Sequence, residues 1–332
     1  MKLLYDTDIG WMNDDCIAAL FALHSPRIEL VGITPVMGNY DLKLEVAAAL
    51  RLLEFTGRTD VPVCPGFDRP LLHERSAYAD QMWGQWATHP ETVELPPGLP
   101  RIAADPRHAA DFIVEQVKAA PHELTIVAVG PLTNLAVAIR KAPEIVGLVK
   151  QVVVMGGALQ LFPDGWGNST PVSEFNFWVD PEAARIVLRA GLPLSLLPMN
   201  VCRKSHLPRS FVERLAASTS AKTGVAELFR DHTLPLFALD GIQNHLVYGL
   251  FDFSAIAYAL EPGLFRTELL SVDVVTTPGL EYGMSIGYRA ASRIIGHTNV
   301  SFPVADAPPQ VTVVHDMDFD AVVRLYLEGV GA

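Results

Sequence analysis

The sequence predicts an α/β fold in which an open, mainly parallel sheet is flanked by helices. Short aliphatic, β-rich runs alternate with longer segments in which apolar residues recur at helical spacing. This alternation is typical of βαβ units, whose strands lie parallel to one another. The 332 residues contain no internal repeat, low-complexity tract or linker-like break. We therefore expect one domain over residues 1–332.

The predicted elements follow one another along the chain. Strands or extended segments are expected at residues 3–6, 28–34, 61–64, 124–129, 152–155 and 194–197. Helices are expected at residues 14–24, 42–55, 109–119, 132–141, 181–190 and 255–260. Three long irregular segments, 65–106, 156–180 and 219–252, have the length of functional loops. Because open parallel sheets bind ligands at the carboxyl ends of their strands, the functional residues are sought there.

Composition and charge restrict the class of partner. Half of the residues are hydrophobic and the formal net charge is −12. The negative charge disfavours a nucleic-acid backbone or an anionic membrane as partner. Asp6 and Asp8 interrupt any apolar signal segment, and no apolar run is long enough to span a bilayer. Three scattered cysteines fit a reducing compartment and offer no zinc spacing, so we expect a cytoplasmic globular protein.

Four aspartates, Asp6, Asp8, Asp14 and Asp15, lie within the first fifteen residues, where a strand ends and a helix begins. Crowded carboxylates cost free energy unless a cation neutralises them or the chemistry uses them. Hard cations such as calcium bind several oxygen ligands at once. The alternative is that Asp14 caps the helix and that the negative charge of Asp15 interacts favourably with the helix dipole. Phosphoryl transfer would need a downstream lysine and a phosphate-binding motif, and neither is evident. The cluster is therefore interpreted as a metal site.

Two other segments carry polar residues beside glycine or aromatic residues. Residues 129–134 form a strand-to-helix junction whose last strand carbonyl could face a ligand, although an ordinary βα turn has the same composition. Asn168, Glu174 and Asn176 supply donors and acceptors that suit sugar hydroxyls, and Asn39 could join them. A well-hydrogen-bonded loop is the alternative for this second segment.

Together these motifs resemble the nucleoside hydrolase family. The matching motifs, in the family's order, are Asp6-Thr7-Asp8-Ile9-Gly10 with Asp14-Asp15, Gly38-Asn39, residues 130–134, Met155-Gly156-Gly157, residues 168–176 and residues 179–184. They cover most of the chain, from residue 6 to about residue 262. The resemblance implies a calcium-dependent N-ribohydrolase that acts on small ribonucleosides and assembles into a homo-oligomer, either a dimer or a tetramer.

The resemblance also implies a role for each matching residue. Asp8 would be a calcium ligand and the general base for the attacking water. The other calcium ligands would be Asp15, Asp252 and the carbonyl oxygen of Val129. The ribose hydroxyls would be held by Asp14, Asn39, Asn168, Glu174 and Asn176. This arrangement suits N-glycosidic cleavage, because the sugar becomes oxocarbenium-like and a divalent ion lowers the pKa of bound water.

Near the departing base the sequence differs from many family members. Phe251 stands where a histidine commonly precedes the late calcium aspartate, and Trp83 replaces a histidine of the early loop. These aromatic residues resemble the purine-preferring branch, in which rings stack on the base. The alternative is that both are lid or core hydrophobes. His245 or His232 could instead supply a proton to the base.

The opening motif is also longer than the common pattern, because Trp11-Met12-Asn13 stand where the family has a single residue. The division of roles between Asp14 and Asp15 therefore depends on how this loop folds. Calcium-dependent ribonucleoside hydrolysis, with purines slightly favoured, is the preferred hypothesis. A non-catalytic nucleoside or ribose binder that retains the calcium site is the main alternative. A hydrolase for N-ribosyl compounds with a non-standard base is the third possibility.

Overall fold

The computed structural model describes residues 1–72, 98–236, 249–289 and 307–332. Its centre is a sheet of eight strands: β1 (Lys2–Thr7), β2 (Glu29–Pro35), β3 (Leu124–Ala128), β4 (Gln151–Met155), β5 (Leu194–Leu197), β6 (Phe265–Val274), β7 (Ser285–Tyr288) and β8 (Gln310–Met317). The strand order is β2-β1-β3-β4-β5-β8-β6-β7. All pairs from β2 to β8 are parallel, whereas β6 pairs antiparallel with β8 and β7. The predicted mainly parallel sheet is confirmed.

Twelve α-helices lie in the described residues: α1 (Asp14–His24), α2 (Leu42–Thr56), α3 (Ala109–Ala119), α4 (Thr133–Lys141), α5 (Phe175–Val179), α6 (Pro181–Leu188), α7 (Met199–Cys202), α8 (Arg209–Ala216), α9 (Val225–Leu228), α10 (Leu234–Leu236), α11 (Phe251–Leu260) and α12 (Phe319–Val330). Shorter 3-10 turns occupy Pro143–Gly147 and Pro262–Leu264, and a π-helical turn occupies Phe229–Thr233. Within these described residues, no helix combines the length and the apolarity needed to cross a membrane.

The sheet separates two apolar cores, because successive side chains of a strand point to opposite faces. Leu3 and Tyr5 of β1 pack with α1, α2, α11 and α12, whereas Leu4 packs with α3, α4 and α6 on the other face. All three side chains are fully buried. The same alternation decides where the polar side chains at the end of β1 point. Asp6 lies on the same face of the sheet as Leu4, and Thr7 lies on the same face as Tyr5.

Apart from residues 61–64, the elements predicted before residue 200 are present, with ends that differ by one or two residues. Residues 61–64 do not form a ladder strand, and Val63 makes a single parallel bridge with Ile33. The helix expected at 255–260 begins earlier, at Phe251, so Asp252 lies in its first turn, where a carboxylate is favoured by the helix dipole. The sequence analysis did not assign β6, β7, β8 or α12. The single-domain expectation for residues 1–332 stays a prediction.

Candidate active site

Asp8 lies directly after β1 and is only 1% exposed. The Asn39 N–H donates to Asp8 Oδ2 at 3.0 Å, and Asn39 Nδ2 donates to the Asp8 carbonyl at 3.2 Å. A Cβ atom at Gly38 would lie 2.2 Å from Asp8 Oδ2, and one at Gly130 would lie 2.8 Å from Asp8 N. The two glycines of the family motifs are therefore required because the backbone approaches Asp8 so closely.

The lengthened opening loop ends in a helix cap formed by Asn13. Its Oδ1 accepts a hydrogen bond from Cys16 N at 3.1 Å, and its Nδ2 donates to Asp15 Oδ2 at 2.8 Å. Met12 is fully buried at a φ of 60°, a left-handed conformation that is uncommon for residues other than glycine. The alternative in which Asp14 caps α1 is therefore wrong, because Asn13 occupies the cap. Asn13 is a site residue that the sequence analysis missed, although an asparagine before a helix is a recognisable cap signal.

Three carboxylates converge at the beginnings of α1 and α11. Asp14, Asp15 and Asp252 each place one carboxylate oxygen within 4.8 Å of the others. Asp15 and Asp252 are 1% and 3% exposed, whereas Asp14 is half-buried. Thr7 Oγ1 donates to Asp15 Oδ1 at 2.5 Å, which fixes Asp15 to the end of β1. The predicted acidic cluster is thus present for Asp14, Asp15 and Asp252, and Asp252 lies far from the other two in the sequence.

Burial and mutual repulsion disfavour the charged form of these acids. Burial is the largest cause that raises the pKa of Asp8, and the negative charge of Asp15 is the next. Burial raises the pKa of Asp15 to about 6, although hydrogen bonds with Thr7, Asp8 and Asn13 oppose the shift. Burial and then the charges of Asp14 and Asp15 raise the pKa of Asp252. A divalent cation would remove this repulsion, and the all-oxygen donor set fits a hard ion such as calcium.

Asp6 does not join the acidic cluster. Its side chain points to the other face of the sheet, where Oδ2 accepts hydrogen bonds from Thr34 Oγ1 at 2.7 Å and Asn134 Nδ2 at 2.9 Å. Burial raises the pKa of Asp6 to about 7. The interpretation of all four early aspartates as one metal site is therefore wrong for Asp6, because strand alternation turns it away. Asn134 of the 129–134 junction serves as its structural partner.

The carbonyl of Val129 directly follows β3, which neighbours β1 in the sheet. Its oxygen accepts a hydrogen bond from Asn176 Nδ2 at 2.6 Å. Asn176 Nδ2 also contacts the carbonyl of Met155 at 3.2 Å. A carbonyl oxygen has two lone pairs, so the Val129 oxygen keeps one that a cation can use. The structure thus links the predicted metal ligand Val129 directly to the predicted ribose ligand Asn176.

Glu174 caps α5 with both carboxylate oxygens. Oε1 accepts from Asn176 N at 2.9 Å, and Oε2 accepts from Gly157 N at 2.7 Å and Phe177 N at 3.2 Å. The half-buried Asn168 accepts a hydrogen bond from Phe175 N at 2.9 Å through Oδ1. The alternative of a well-hydrogen-bonded loop therefore describes contacts that are present. The predicted ribose contacts of Asn168, Glu174 and Asn176 stay a prediction.

The residues expected near the base are only partly described. Trp83 and His245 lie outside the described residues. Phe251 is 4% exposed, and its ring meets the ring of His206 edge-on at 5.6 Å between centroids. This burial matches the alternative of a core hydrophobe, and stacking of Phe251 on a base stays a prediction. His232 packs edge-on against Trp11 at 5.4 Å.

The site indicates the class of this protein, and comparison with known proteins identifies its family. A buried acidic cluster at the strand ends of an open α/β sheet suits a metal-dependent hydrolase. A family model described as inosine-uridine preferring nucleoside hydrolase matches residues 3–324. The chain belongs to the nucleoside hydrolase family, and the predicted resemblance is confirmed. It is a nucleoside N-ribohydrolase, so the alternative of a non-catalytic binder is not retained.

Three relatives show how similar the chain is to known members. It is 33% identical to probable uridine nucleosidase 2 of Arabidopsis thaliana, over 98% of this chain and 96% of that protein. It is 34% identical to the pyrimidine-specific ribonucleoside hydrolase RihA of Escherichia coli, over 86% and 88%. The solved structure of a purine-preferring ribonucleoside hydrolase from Gardnerella vaginalis has a TM-score of 0.79 and 27% identity, over 100% and 98% of the two chains. Members named for either class of base are thus similar to this chain.

Proposed function

We propose that this hydrolase cleaves ribonucleosides at a calcium ion held by Asp8, Asp15, Asp252 and the carbonyl of Val129. The convergence of carboxylate oxygens from Asp14, Asp15 and Asp252 within 4.8 Å supports this proposal most directly. Asp8 lies beside this group, because Asn39 donates to Asp8 Oδ2 at 3.0 Å and to Asp15 Oδ2 at 3.3 Å. Asp14 is the most exposed member of the cluster and would face the ribose. Carboxylate and carbonyl oxygens are the ligands that calcium prefers. We include assembly into a dimer or tetramer and a cytoplasmic location in the proposal, on the resemblance to the family.

Asp8 would act as the general base. Calcium, when bound, lowers the pKa of a coordinated water. Asp8 would accept the proton of the attacking water, and Asn39 holds the Asp8 carboxylate in place through its N–H bond to Oδ2. The Asn39 side chain also touches Asp15 Oδ2 at 3.3 Å, so one residue orients two members of the cluster. The base is therefore oriented before the substrate arrives.

The ribose would lie against the polar side chains at the ends of β1, β2 and β4. Asp14, Asn39, Asn168, Glu174 and Asn176 would bind its hydroxyls and place the anomeric carbon against the water. The buried carboxylates favour the positive charge that develops on the sugar as the bond to the base breaks. These residues supply binding and orientation, while Asp8 supplies the proton transfer.

We propose a slight preference for purine nucleosides, because Trp83 and Phe251 stand where many family members have histidines. The name of the Gardnerella vaginalis hydrolase, which matches the whole chain, supports this preference. The names of the Arabidopsis thaliana and Escherichia coli relatives favour the opposite preference. A comparison of inosine with uridine decides between them.

The test is base release from inosine and uridine, measured with calcium, with magnesium and after chelation. We expect turnover that chelation abolishes, that calcium restores better than magnesium, and that is faster for inosine. The Asp8→Asn variant should lose at least about a hundredfold in kcat because it cannot accept a proton. Asp320→Asn, an exposed change in α12, is the matched control. Full activity after chelation would contradict the calcium proposal, and faster uridine turnover would contradict the purine preference.

A further inference from the structure

One short helix contacts several backbone carbonyls of the segment that carries Asn168. We call residues 156–173, which connect β4 to the cap of α5, the ribose arm. The helix α7 begins directly after β5 and lies against this arm. Asn200 of α7 donates from Nδ2 to three carbonyls at the entry of the arm, those of Leu159 at 3.0 Å, Phe162 at 3.3 Å and Pro163 at 2.8 Å.

Arg203, the C-terminal cap of α7, holds the other end of the arm. Its Nη1 donates to the carbonyls of Asp164 and Trp166, each at 2.7 Å, and its Nη2 donates to the carbonyl of Gly167 at 3.0 Å. The guanidinium carbon also lies 4.5 Å from the centroid of the Trp166 ring. The planar guanidinium presents several N–H donors in a rigid fork, whereas a lysine ammonium is a compact charge on a flexible stem.

The part of the arm that Arg203 holds has an unfavourable local conformation. Asp164 has a φ of 59°, in the left-handed region. A Cβ atom at Gly167 would lie 2.1 Å from the carbonyl oxygen of Ser173 and 2.2 Å from that of Thr170. A tight bend of this kind persists only when its surroundings hold it. Arg203 provides the holding contacts for three carbonyls in the four residues that precede Asn168.

Asn168 follows this bend directly and also touches α7. Its Nδ2 lies 3.9 Å from Met199 Sδ, and its Oδ1 accepts a hydrogen bond from Phe175 N at 2.9 Å. The backbone of Asn168 is therefore set by the bend, and its side chain lies between α7 and the beginning of α5. Arg203 contacts the carbonyl of Gly167, and this carbonyl belongs to the same peptide unit as the backbone N–H of Asn168. A change at Arg203 therefore alters the position of the Asn168 backbone directly.

We propose that Arg203 is a positioning residue for ribose binding, which acts by holding the bend at Asp164 to Gly167 so that Asn168 presents its amide to the sugar. The inference rests on the proposed function, in which Asn168 binds a ribose hydroxyl. Arg203 itself does not touch the substrate. Its loss should weaken substrate binding more than it slows the chemical step, because Asp8 and the carboxylate cluster are attached to other elements.

The test is a double-mutant cycle with Arg203→Met, Asn168→Ala and the two changes combined. KM and kcat for the better nucleoside and the Kd for free ribose are measured at saturating calcium. Each single change should raise KM and the ribose Kd by about tenfold, the size expected when one hydrogen bond of this kind is lost. Combined with Asn168→Ala, Arg203→Met should cause almost no further rise, because two changes that remove the same contact are not additive.

Two further variants complete the experiment. Arg203→Lys keeps the positive charge but lacks the planar guanidinium, so its ribose Kd should lie between those of the wild type and Arg203→Met. If Arg203→Met does not fold, Arg203→Lys replaces it in the double-mutant cycle. Arg209→Met removes an exposed arginine that pairs with Glu213 on α8, and it should leave KM and the ribose Kd unchanged.

Each outcome has a separate meaning. An unchanged KM and ribose Kd in Arg203→Met, or effects that add in the double variant, would overturn the positioning role while leaving the proposed function intact. An unchanged ribose Kd in Asn168→Ala would instead overturn the ribose contact of Asn168, and the positioning role with it. A large loss confined to kcat in Arg203→Met would also overturn the inference.

Discussion

Replacement of Asp252 by asparagine should stabilise the metal-free protein while it removes the response to calcium. Asp14, Asp15 and Asp252 place carboxylate oxygens within 4.8 Å of one another. At that separation two unit charges repel by about 3 kcal/mol at an effective dielectric constant of about 20. Asparagine keeps the shape of the side chain, removes two of the three repulsive pairs and adds an N–H donor for the remaining carboxylates.

The net gain is smaller than the sum of the two pairs, because the raised pKa values show that protonation already relieves part of the repulsion. We therefore expect the free energy of unfolding of the chelated variant to rise by about 1 to 3 kcal/mol. One kcal/mol corresponds to roughly 2 °C in Tm for a protein of this size. The chelated variant should accordingly melt about 2 to 6 °C above the chelated wild type.

Calcium should raise the Tm of the wild type much more than that of Asp252→Asn. A ligand at a hundred times its Kd stabilises the native state by about 2.7 kcal/mol. The wild type should gain roughly 5 °C in Tm from calcium, whereas Asp252→Asn should gain little because it lacks one ligand. Thermal denaturation by circular dichroism, in chelator and over a calcium titration, measures both effects. Asp320→Asn, outside the cluster, should keep the calcium response of the wild type. A chelated Asp252→Asn protein that melts below the chelated wild type would refute the repulsion argument.

Three further results are expected. The chelated wild type should become more stable as the pH falls from about 7.5 to about 6, because carboxyl groups with raised pKa bind more protons in the folded than in the unfolded state; the opposite slope in melting scans would contradict this. Asn13→Ala should lose about 1 kcal/mol of stability and several-fold in calcium affinity by calorimetry, whereas Asp318→Ala, which removes the cap of α12, should lose stability alone. Gly38→Ala should lower kcat at least about tenfold because its Cβ would displace Asp8, whereas Gly147→Ala, which meets open space, should not, and equal activities would remove the close-approach argument.

The sequence predicted β1 to β5, α1 to α4 and α6, because these helices have apolar residues at helical spacing and these strands are short apolar runs. It did not predict α5, which lies in the segment 156–180 that was expected to be irregular. The strands are buried between helices on both faces, so they are almost continuously apolar, and the first residues of α1 follow a recognisable turn. In β6 the pattern is weak, since Leu269 is 59% exposed and Arg266 and Thr267 are also exposed. The sheet edge formed by β6, β7 and β8 was therefore missed.

The contacts of the candidate site also divide into those that the sequence predicted and those that only the structure revealed. The sequence by itself determined that Asp8, Asp14 and Asp15 gather at the end of β1, because a strand end and a helix start bring residues close in sequence together. Only the tertiary structure decided that Asn176 binds the Val129 carbonyl and that Arg203 holds the arm before Asn168. These contacts join loops far apart in the chain, and loop geometry leaves no periodic signal in a sequence from which it could be predicted.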